Sequence, residues 1–276
     1  MSQDFAGQVA FVTGAARGQG RSHALRLAEG GADVIVLDLC KPVDTVPYAL
    51  AERADLEATA ERIRGLGREV VVVEADVRDL GVVTRDLATA VERLGRLDIV
   101  VANAGIVSHG TVEQMGPQAW RDVIDVNLTG VWNTAKAAIP HLVASGGGSM
   151  VLISSVAGVR GLYGLAHYAA AKHGVLGLMK ALALELGHYS IRVNAVLPTT
   201  VDTPMVANAD FYARMFPGVE NPSLADLDVS AAGGNALPGA YVEASDVTDV
   251  VEFLASARAA TLTGVSLPVD LGRLLR

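Results

Sequence analysis

Short runs of apolar residues alternate with longer helical patterns along this chain, and that alternation constrains its fold more than any other feature. The runs lie at Gln8–Thr13, Asp33–Asp38, Glu69–Glu74, Asp98–Ala102, Met150–Ser154, Ile191–Val196 and Thr263–Val269. Most are continuous and β-branched, as in strands that are buried on both faces of a sheet. Helical patterns separate them near 18–30, 53–66, 80–95, 118–144, 165–188 and 245–256. Such alternation implies right-handed βαβ units, so we predict an α/β fold: a doubly wound parallel sheet of about seven strands with helices on both faces.

The 276 residues are expected to form a single domain, because no linker rich in Pro, Gly or Ser divides them. An apolar fraction of 51% with 19% charged residues suits a sheet that is covered on both faces. Two segments interrupt the alternation. Residues 41–52 make the connection after the second predicted strand unusually long. Residues 201–240, which contain Phe211, Tyr212 and Phe216, predict a substrate-binding lid, or alternatively a surface excursion with an amphipathic helix.

The charge balance and the cysteine count exclude several classes of protein. The net charge is −8, from 22 Lys and Arg against 30 Asp and Glu, and no basic run occurs, so neither nucleic acid nor a membrane surface is an expected partner. No apolar stretch is clean enough for a transmembrane helix. Cys40 is the only cysteine, which excludes an intrachain disulfide and a multi-thiolate zinc site. With no signal-peptide pattern at the N-terminus, the sequence predicts a cytoplasmic location.

A glycine-rich segment directly follows the first predicted strand and opens the first predicted helix. It reads Gly14-x3-Gly18-x-Gly20. Glycines at such a turn allow the backbone to approach a pyrophosphate, which sits at the positive N-terminus of the helix. The pattern alone is weak in a glycine-rich chain, but its position between strand and helix favours a Rossmann-type dinucleotide site.

The second predicted strand ends at Asp38. A carboxylate there can accept hydrogen bonds from the adenosine ribose and repel a 2′-phosphate, which favours NAD over NADP. Arg17 favours NADP instead, since its positive charge could bind a phosphate. We give Asp38 the greater weight because its charge would lie against the 2′ position.

Polar and small residues also end the third and fourth predicted strands. Asp76 and Val77 follow the third strand, and Asn103, Ala104 and Gly105 follow the fourth. Because ligands of an open parallel sheet bind at the carboxyl ends of its strands, we expect the first pair to line the adenine and Asn103 to brace the sheet beside the ribose.

Tyr168 and Lys172 lie four residues apart at the start of a predicted helix, and therefore on one face of it. A nearby ammonium group favours the phenolate form of a tyrosine, although a lone pair of this kind is more often a surface pair. Ser155 lies at the end of the fifth predicted strand, and therefore at the same edge of the sheet as Tyr168. Its hydroxyl can donate a hydrogen bond to a substrate oxygen there. Asn127 is expected inside a helix, where it either binds a proton-relay water or is a satisfied core amide.

Together these motifs resemble the short-chain dehydrogenase/reductase family. The resemblance rests on TGAARGQG at 13–20, NAG at 103–105, NLTG at 127–130, Ser155 and YAAAK at 168–172, and it covers residues 5–271. It implies that Tyr168 is the general acid/base, that Ser155 positions the substrate oxygen, that Lys172 lowers the tyrosine pKa and holds the ribose, and that Asn127 supports a proton relay.

The family resemblance also extends to the segment after the sixth strand, where it implies nicotinamide contacts. Thr199 stands where the family usually has glycine, which leaves the local backbone geometry in question. The full set of residues expected to bind NAD is Gly14, Arg17, Gly18, Gln19, Gly20, Asp38, Leu39, Asp76, Val77, Asn103, Ala104, Gly105, Tyr168, Lys172, Pro198, Val201 and Thr203.

A narrower resemblance points to the mycofactocin-coupled subgroup, which includes carveol dehydrogenases. It rests on GQGRSHA at 18–24, the inserted loop with Val46, Pro47 and Tyr48, AAKHG at 170–174, and the Pro198-Thr199 pair. It implies that NAD stays bound while another redox carrier regenerates it. The resemblance of residues 264–272 to the family's last strand also implies a homotetramer.

The expected function is NAD-dependent hydride transfer to or from a hydrophobic, cyclic secondary alcohol, with no metal. A 3-oxoacyl thioester reductase is the first alternative, although Asp38 and the absence of a basic patch speak against it. A catalytically inactive NAD-binding regulatory protein is the second. His109 could line the substrate pocket, but we interpret it as a solvated loop residue.

Overall fold

Within residues 4–223, 226–227 and 234–276, which the computed structural model describes, seven strands form one parallel sheet. They are β1 (Val9–Thr13), β2 (Asp33–Asp38), β3 (Val70–Glu74), β4 (Ile99–Ala102), β5 (Gly148–Ile153), β6 (Ile191–Pro198) and β7 (Ser266–Val269). Their order in the sheet is β3-β2-β1-β4-β5-β6-β7, and every neighbouring pair is parallel. The predicted fold class is confirmed.

Helices cover both faces of the sheet. Those in the described part of the chain are α1 (Gly18–Glu29), α2 (Arg53–Gly65), α3 (Leu80–Leu94), α4 (Pro117–Ile124), α5 (Gly130–Ala144), α6 (Ala166–Leu186), α7 (Ala209–Met215) and α8 (Ala244–Ala255). Side chains of successive strand residues enter opposite cores: Phe11 packs with the α3, α5 and α6 side, and Val12 packs with the α1, α2 and α8 side. This two-sided burial explains the continuous apolar runs.

The sequence pattern predicted one helix over 118–144, but the structure divides it. A π-helical turn, Asp125–Thr129, lies between α4 and α5. Asn127 is in this turn, and its Nδ2 donates to the carbonyl oxygen of Val123 at 2.8 Å. A side chain that bonds to the backbone of the preceding turn competes with the regular helix ladder, and π-helical turns often occur at functional sites.

The strand order creates a crevice at one rim of the sheet. From β1 the chain runs outward through β2 and β3, then crosses back to β4 on the other side of β1. At this reversal the loops that leave β1 and β4 diverge to opposite faces, so a ligand site opens at the carboxyl ends of the strands. Among the described residues, no helix has the length and apolar character needed to cross a bilayer.

His23 ties α1 to α8 in the core between them. Its side chain is fully buried, its Nδ1 lies 2.7 Å from Oγ1 of Thr248, and its Nε2 has no hydrogen-bond partner. Burial lowers the pKa of His23 from 6.5 to about 3, so the imidazole is neutral in the folded protein at neutral pH.

This burial predicts a loss of stability in acid. Because the folded-state pKa lies below the ordinary value of 6.5, the contribution of His23 is complete above pH 6.5 and is lost as the pH falls toward 3, by at most about 1.4 kcal/mol per pH unit. In His23→Asn the side-chain amide keeps a group near the Nδ1 position without titrating. Urea unfolding of both proteins at pH 7, 6, 5 and 4 should show the steeper loss in the parent chain.

The exposed His188 supplies the control, since His188→Asn should leave the slope of the parent chain unchanged. Parallel pH profiles for the parent chain and His23→Asn would contradict the assignment.

Candidate active site

A cavity of about 300 Å³ follows the carboxyl ends of the strands. At one end it is lined by the glycine-rich turn after β1 and by the end of β2. At the other end it is lined by Ser155, Tyr168 and residues that follow β6. All the residues predicted to bind cofactor or to act in catalysis line this one cavity.

The glycine-rich turn has no room for side chains. At Gly14, which has φ of +67°, a Cβ atom would lie 2.8 Å from Cα of Ala104. At Gly20 it would lie 2.0 Å from the carbonyl oxygen of Gly14. The turn leads directly into α1, whose first N–H groups have no intrahelical partner. The backbone therefore forms a close-fitting, electropositive surface of the kind that binds phosphate.

Asn103 joins the end of β4 to this turn. Its Nδ2 donates to the carbonyl oxygens of Thr13 at 3.0 Å and Gly14 at 3.3 Å. In return, Oγ1 of Thr13 accepts from the N–H groups of Asn103 at 3.1 Å and Ala104 at 3.2 Å. The predicted bracing role of Asn103 thus corresponds to four hydrogen bonds across the β1–β4 boundary.

Asp38 faces the glycine-rich turn from the end of β2. Its Oδ2 accepts from the N–H of Ala16 at 3.0 Å. Burial raises the pKa of Asp38 above its ordinary value, and hydrogen bonds from backbone N–H groups, that of Ala16 foremost, oppose this rise. Leu39, the next residue, also lines the cavity. The guanidinium group of Arg17 donates to the carbonyl oxygen of Ala49, so it is bonded to the inserted loop.

The ends of β3 and β4 contribute Asp76, Val77 and Gly105 to the cavity. The carboxylate of Asp76 is held by Arg78, at 2.7 Å between Oδ2 and Nη2, and Arg78 also pairs with Asp122. The carboxylate of Asp76 is therefore held in place by a guanidinium group that it shares with Asp122.

The inserted loop, residues 41–52, lies over the cavity. Lys41, Val43, Tyr48, Leu50 and Ala51 line it. The hydroxyl oxygen of Tyr48 accepts from the N–H of Val107 at 3.2 Å, and burial raises the pKa of this phenol to about 12. Tyr48 was not among the predicted site residues. Two sequence signals pointed to it: the unusual length of the connection, and the Val46-Pro47-Tyr48 segment in the narrower resemblance.

Ser155, Tyr168 and Lys172 meet at the other end of the cavity. Oγ of Ser155 donates to the carbonyl oxygen of Pro198 at 3.4 Å and accepts from the N–H of Ala157 at 3.1 Å, and the Ser155 hydroxyl lies near enough to Tyr168 to lower the pKa of that phenol. Nζ of Lys172 lies 5.5 Å from the centre of the Tyr168 ring and donates to the carbonyl oxygen of Ile153 at 2.8 Å.

Burial acts against the charged form of both ionisable groups. It raises the pKa of Tyr168 above its ordinary value, and the hydrogen bond with Ser155 partly offsets the rise. It lowers the pKa of Lys172 to about 8, so the ammonium form still predominates at pH 7.

Asn127 has all of its side-chain hydrogen-bonding groups occupied. Nδ2 donates to the carbonyl oxygens of Ile106 and Val123, and Oδ1 accepts from the N–H of Ile106 at 3.3 Å. A Cβ atom at Gly105 would lie 2.8 Å from Oδ1 of Asn127 and 3.8 Å from Nζ of Lys172. The small residue leaves the space between these two side chains open. This arrangement agrees with the core-amide interpretation and leaves the proton relay as a prediction.

His167 is a further residue that the sequence reasoning missed. It is fully buried, its Nδ1 accepts from the N–H of Tyr168 at 2.9 Å, and its Nε2 lies 2.9 Å from Oγ of Ser108. Since Nδ1 is an acceptor, the ring is neutral and donates to Ser108 through Nε2. Its only sequence signal was its position next to Tyr168.

Pro198, Val201 and Thr203 line the cavity beyond β6, as predicted from the resemblance. Thr199 continues the β6–β7 pairing, and its N–H donates to the carbonyl oxygen of Val269 at 3.0 Å. Its extended backbone has no need of a glycine conformation, which answers the question raised by the substitution. Two buried polar atoms along the cavity, Oγ1 of Thr199 and Oε1 of Gln19, have no hydrogen-bond partner.

The interpretation of His109 as a solvated loop residue was wrong. Its side chain is 16% exposed, lines the cavity, and lies 3.8 Å from the carboxylate of Asp210. Its ring meets Phe211 of α7 edge to face, with centres 6.4 Å apart. Sequence alone did not reveal that α7 would cover the loop after β4.

The segment 201–240 contributes to the cavity only in part. Phe211 lines it, whereas Phe216 packs in a separate small cluster with Leu227 and Ala240. Residues 224–225 and 228–233 of the predicted lid lie outside the described residues.

Comparison with known proteins identifies the family. The family model for short chain dehydrogenases matches residues 8–211. The chain is 50% identical over 272 residues to (−)-trans-carveol dehydrogenase of Rhodococcus erythropolis, with 98% of each chain covered. It is 40% identical over 273 residues to trans-4-hydroxycyclohexanecarboxylate dehydrogenase of Sinomonas cyclohexanicum, with 99% of this chain and 95% of that protein covered.

A solved structure agrees closely. The crystal structure of carveol dehydrogenase from Mycobacterium avium in complex with NAD superposes with a TM-score of 0.96 at 49% identity, covering 98% of this chain and 99% of the other. The sheet order, the glycine-rich turn and these similarities lead to one conclusion: the chain belongs to the short-chain dehydrogenase family.

Proposed function

We propose that this protein is an NAD-dependent dehydrogenase that interconverts hydrophobic cyclic secondary alcohols and their ketones. The observation that carries the proposal is the continuity of the cavity, which runs from the glycine-rich turn to the Ser155–Tyr168 pair. The ring alcohols named for two relatives, carveol and 4-hydroxycyclohexanecarboxylate, support the substrate class. Apolar residues around the Ser155–Tyr168 pair, among them Leu162, Leu165, Met205, Val206 and Phe211, support it as well.

The residues along the cavity fit NAD. The turn has no room for a side chain at Gly14 or Gly20. The backbone of the turn can therefore approach a pyrophosphate closely, as such a site requires. The unpartnered Oε1 of Gln19 and Oγ1 of Thr199 are buried polar atoms that need a ligand's hydrogen-bonding groups. Asp38 would bind the adenosine ribose, and Pro198, Val201 and Thr203 would contact the nicotinamide.

NAD, when bound, accepts the hydride from the carbinol carbon and brings a positive charge to the site. In alcohol oxidation, Tyr168 takes the hydroxyl proton while Ser155 holds the substrate oxygen beside it. Because burial raises the pKa of Tyr168, the phenolate needs stabilisation, which the ammonium group of Lys172 supplies across the ring. In ketone reduction the neutral phenol donates the same proton. A relay that returns protons to Lys172 would use the second lone pair of Oδ1 of Asn127, because both Nδ2 hydrogens are donated to Ile106 and Val123.

The inserted loop would retain the cofactor. Tyr48 bonds to Val107 in the segment after β4, and Arg17 of the glycine-rich turn bonds to Ala49, so the loop is held at two points of the cavity. A dinucleotide beneath it would leave only after these bonds break. Retention of this kind would require an external redox carrier to regenerate the cofactor in place.

Two further expectations follow from the sequence. We expect a homotetramer, because residues 264–272 resemble the family's last strand, and we expect a cytoplasmic location. The alternative of a 3-oxoacyl thioester reductase is disfavoured by the carboxylate of Asp38, since such reductases usually take NADPH. An inactive binding protein would have no use for the Ser155, Tyr168 and Lys172 set.

Removal of the Tyr168 hydroxyl tests the chemistry. Tyr168→Phe should lower kcat/KM for cyclic alcohol oxidation by about 100- to 10,000-fold, because proton transfer loses its acceptor. Binding of NAD, measured by titration, should change far less. The matched control is Tyr163→Phe, which removes a hydroxyl from a side chain that is 93% exposed and should keep full activity. Normal turnover by Tyr168→Phe would refute the proposed role.

Neutralising Asp38 tests the cofactor preference. Asp38→Asn keeps an acceptor for the N–H of Ala16 but removes the negative charge. The ratio of the NADP and NAD dissociation constants should fall by about tenfold, because repulsion of the 2′-phosphate is lost and the ribose loses a charged acceptor. Titration of cofactor-stripped protein measures both constants, and an unchanged ratio would count against Asp38.

Release kinetics test the retention. The purified parent chain should carry a nicotinamide nucleotide that survives desalting and appears on denaturation. Tyr48→Ala should release it about tenfold faster or more, because the loop loses a buried aromatic anchor. Tyr163→Ala is the control for removal of an exposed tyrosine. Rapid cofactor exchange in the parent chain would show that the loop does not retain it.

A further inference from the structure

Arg273 is a cation at the cavity that hydrophobic alcohol oxidation leaves unused. It begins a short 3-10 turn after β7 and lines the cavity. β7 pairs with β6, with Val269 opposite Pro198, so Arg273 belongs to the substrate end of the crevice. β1, β4, β5 and β6 all lie between it and β2, where Asp38 marks the adenosine end.

The guanidinium group of Arg273 has no partner in the described part of the chain. No ion pair or side-chain hydrogen bond joins it to residues 4–223, 226–227 or 234–276. The nearest acidic neighbour along the chain, Asp270, uses its carboxylate locally: Oδ1 accepts from the N–H of Gly272 and Oδ2 from the N–H of Leu274, both at 2.9 Å.

A second cation lies nearby. Arg160 follows the turn that carries Ser155. Burial first, and the charge of Arg160 second, lower the pKa of Arg273, while the carboxylate of Asp270 raises it. Arg160 also has no ion pair or hydrogen bond among the described residues. Both side chains are half-buried. A half-buried cation that lines an apolar cavity, with no hydrogen bond or ion pair of its own among the described residues, is stabilised when a ligand supplies an anion.

We propose that Arg273 binds a carboxylate of the substrate, so that the preferred substrates are ring alcohols that carry an acid group. This inference rests on the proposed function and narrows its substrate class. Arginine presents a planar pair of N–H donors that matches a carboxylate. The ring would pack against the apolar cavity wall, the alcohol would lie at Ser155 and Tyr168, and the carboxylate would bind Arg273.

The test compares acids with uncharged molecules of the same shape. Oxidation of 2-, 3- and 4-hydroxycyclohexanecarboxylates is measured against that of their methyl esters at pH 8, where the acids are ionised. For at least one ring position, kcat/KM for the acid should exceed that for the ester by about tenfold or more, as a charge-assisted hydrogen bond provides. Arg273→Gln should lower this acid-to-ester ratio by about tenfold, and Arg273→Lys, which keeps the charge but loses the paired donors, should give a ratio between the two.

Arg276→Gln is the matched control, because it removes the same charge from an exposed residue three positions away and should preserve the ratio. Esters oxidised as efficiently as acids at every ring position would overturn the inference and leave the proposed function standing. Failure to oxidise any acid or ester would overturn both. A ratio that survives in Arg273→Gln would show that another group recognises the acid.

Discussion

The hydrogen bonds between Asn103 and the Thr13–Gly14 turn support the rest of this site. They join the ends of β1 and β4 at the point where the chain reverses its direction across the sheet. Connections leave that point toward opposite faces, so the backbone on either side would otherwise be free to separate. A side-chain amide that bridges two strand ends keeps the glycine-rich turn closed against Ala104. The residues of this contact that line the cavity, Gly14, Asn103 and Ala104, form its base above the sheet.

Burial shapes the chemistry at the other end of the cavity. Apolar packing lowers the pKa of Lys172 to about 8 and raises that of Tyr168. In both residues, burial therefore disfavours the charged form of the side chain. A low dielectric constant strengthens each charge–charge contact in the site. The ionisation of the Tyr168 phenol therefore depends strongly on the few groups that contact it. His167 fixes the backbone of Tyr168 from one side, and Ser155 bonds to its side chain from the other. The proposed proton transfer relies on this fixed geometry.

The fold and just under half of the residues that line the cavity could be predicted from the sequence, because both follow from local patterns. Continuous apolar runs follow from two-sided burial, and glycine spacing follows from the turn into α1. The misjudged or missed residues depend on contacts between distant segments. His109 is covered because α7, about a hundred residues later, packs Phe211 against it. The π-helical turn at Asp125–Thr129 reflects bonds of Asn127 to Val123 and Ile106, which no helical periodicity predicts.

The sequence by itself determined the strands, because they depend on short-range periodicity. It also determined their parallel arrangement, because few topologies are compatible with alternating strands and helices. The residues that a dinucleotide site needs could be predicted from their positions at the ends of these strands. Only the tertiary structure decided which polar groups are partnered. Tyr48 bonds to Val107 across the cavity, whereas Arg273 lines that cavity unpaired among the described residues. Pairing depends on which side chains distant elements bring within about 3 Å of one another, and linear spacing does not carry that information.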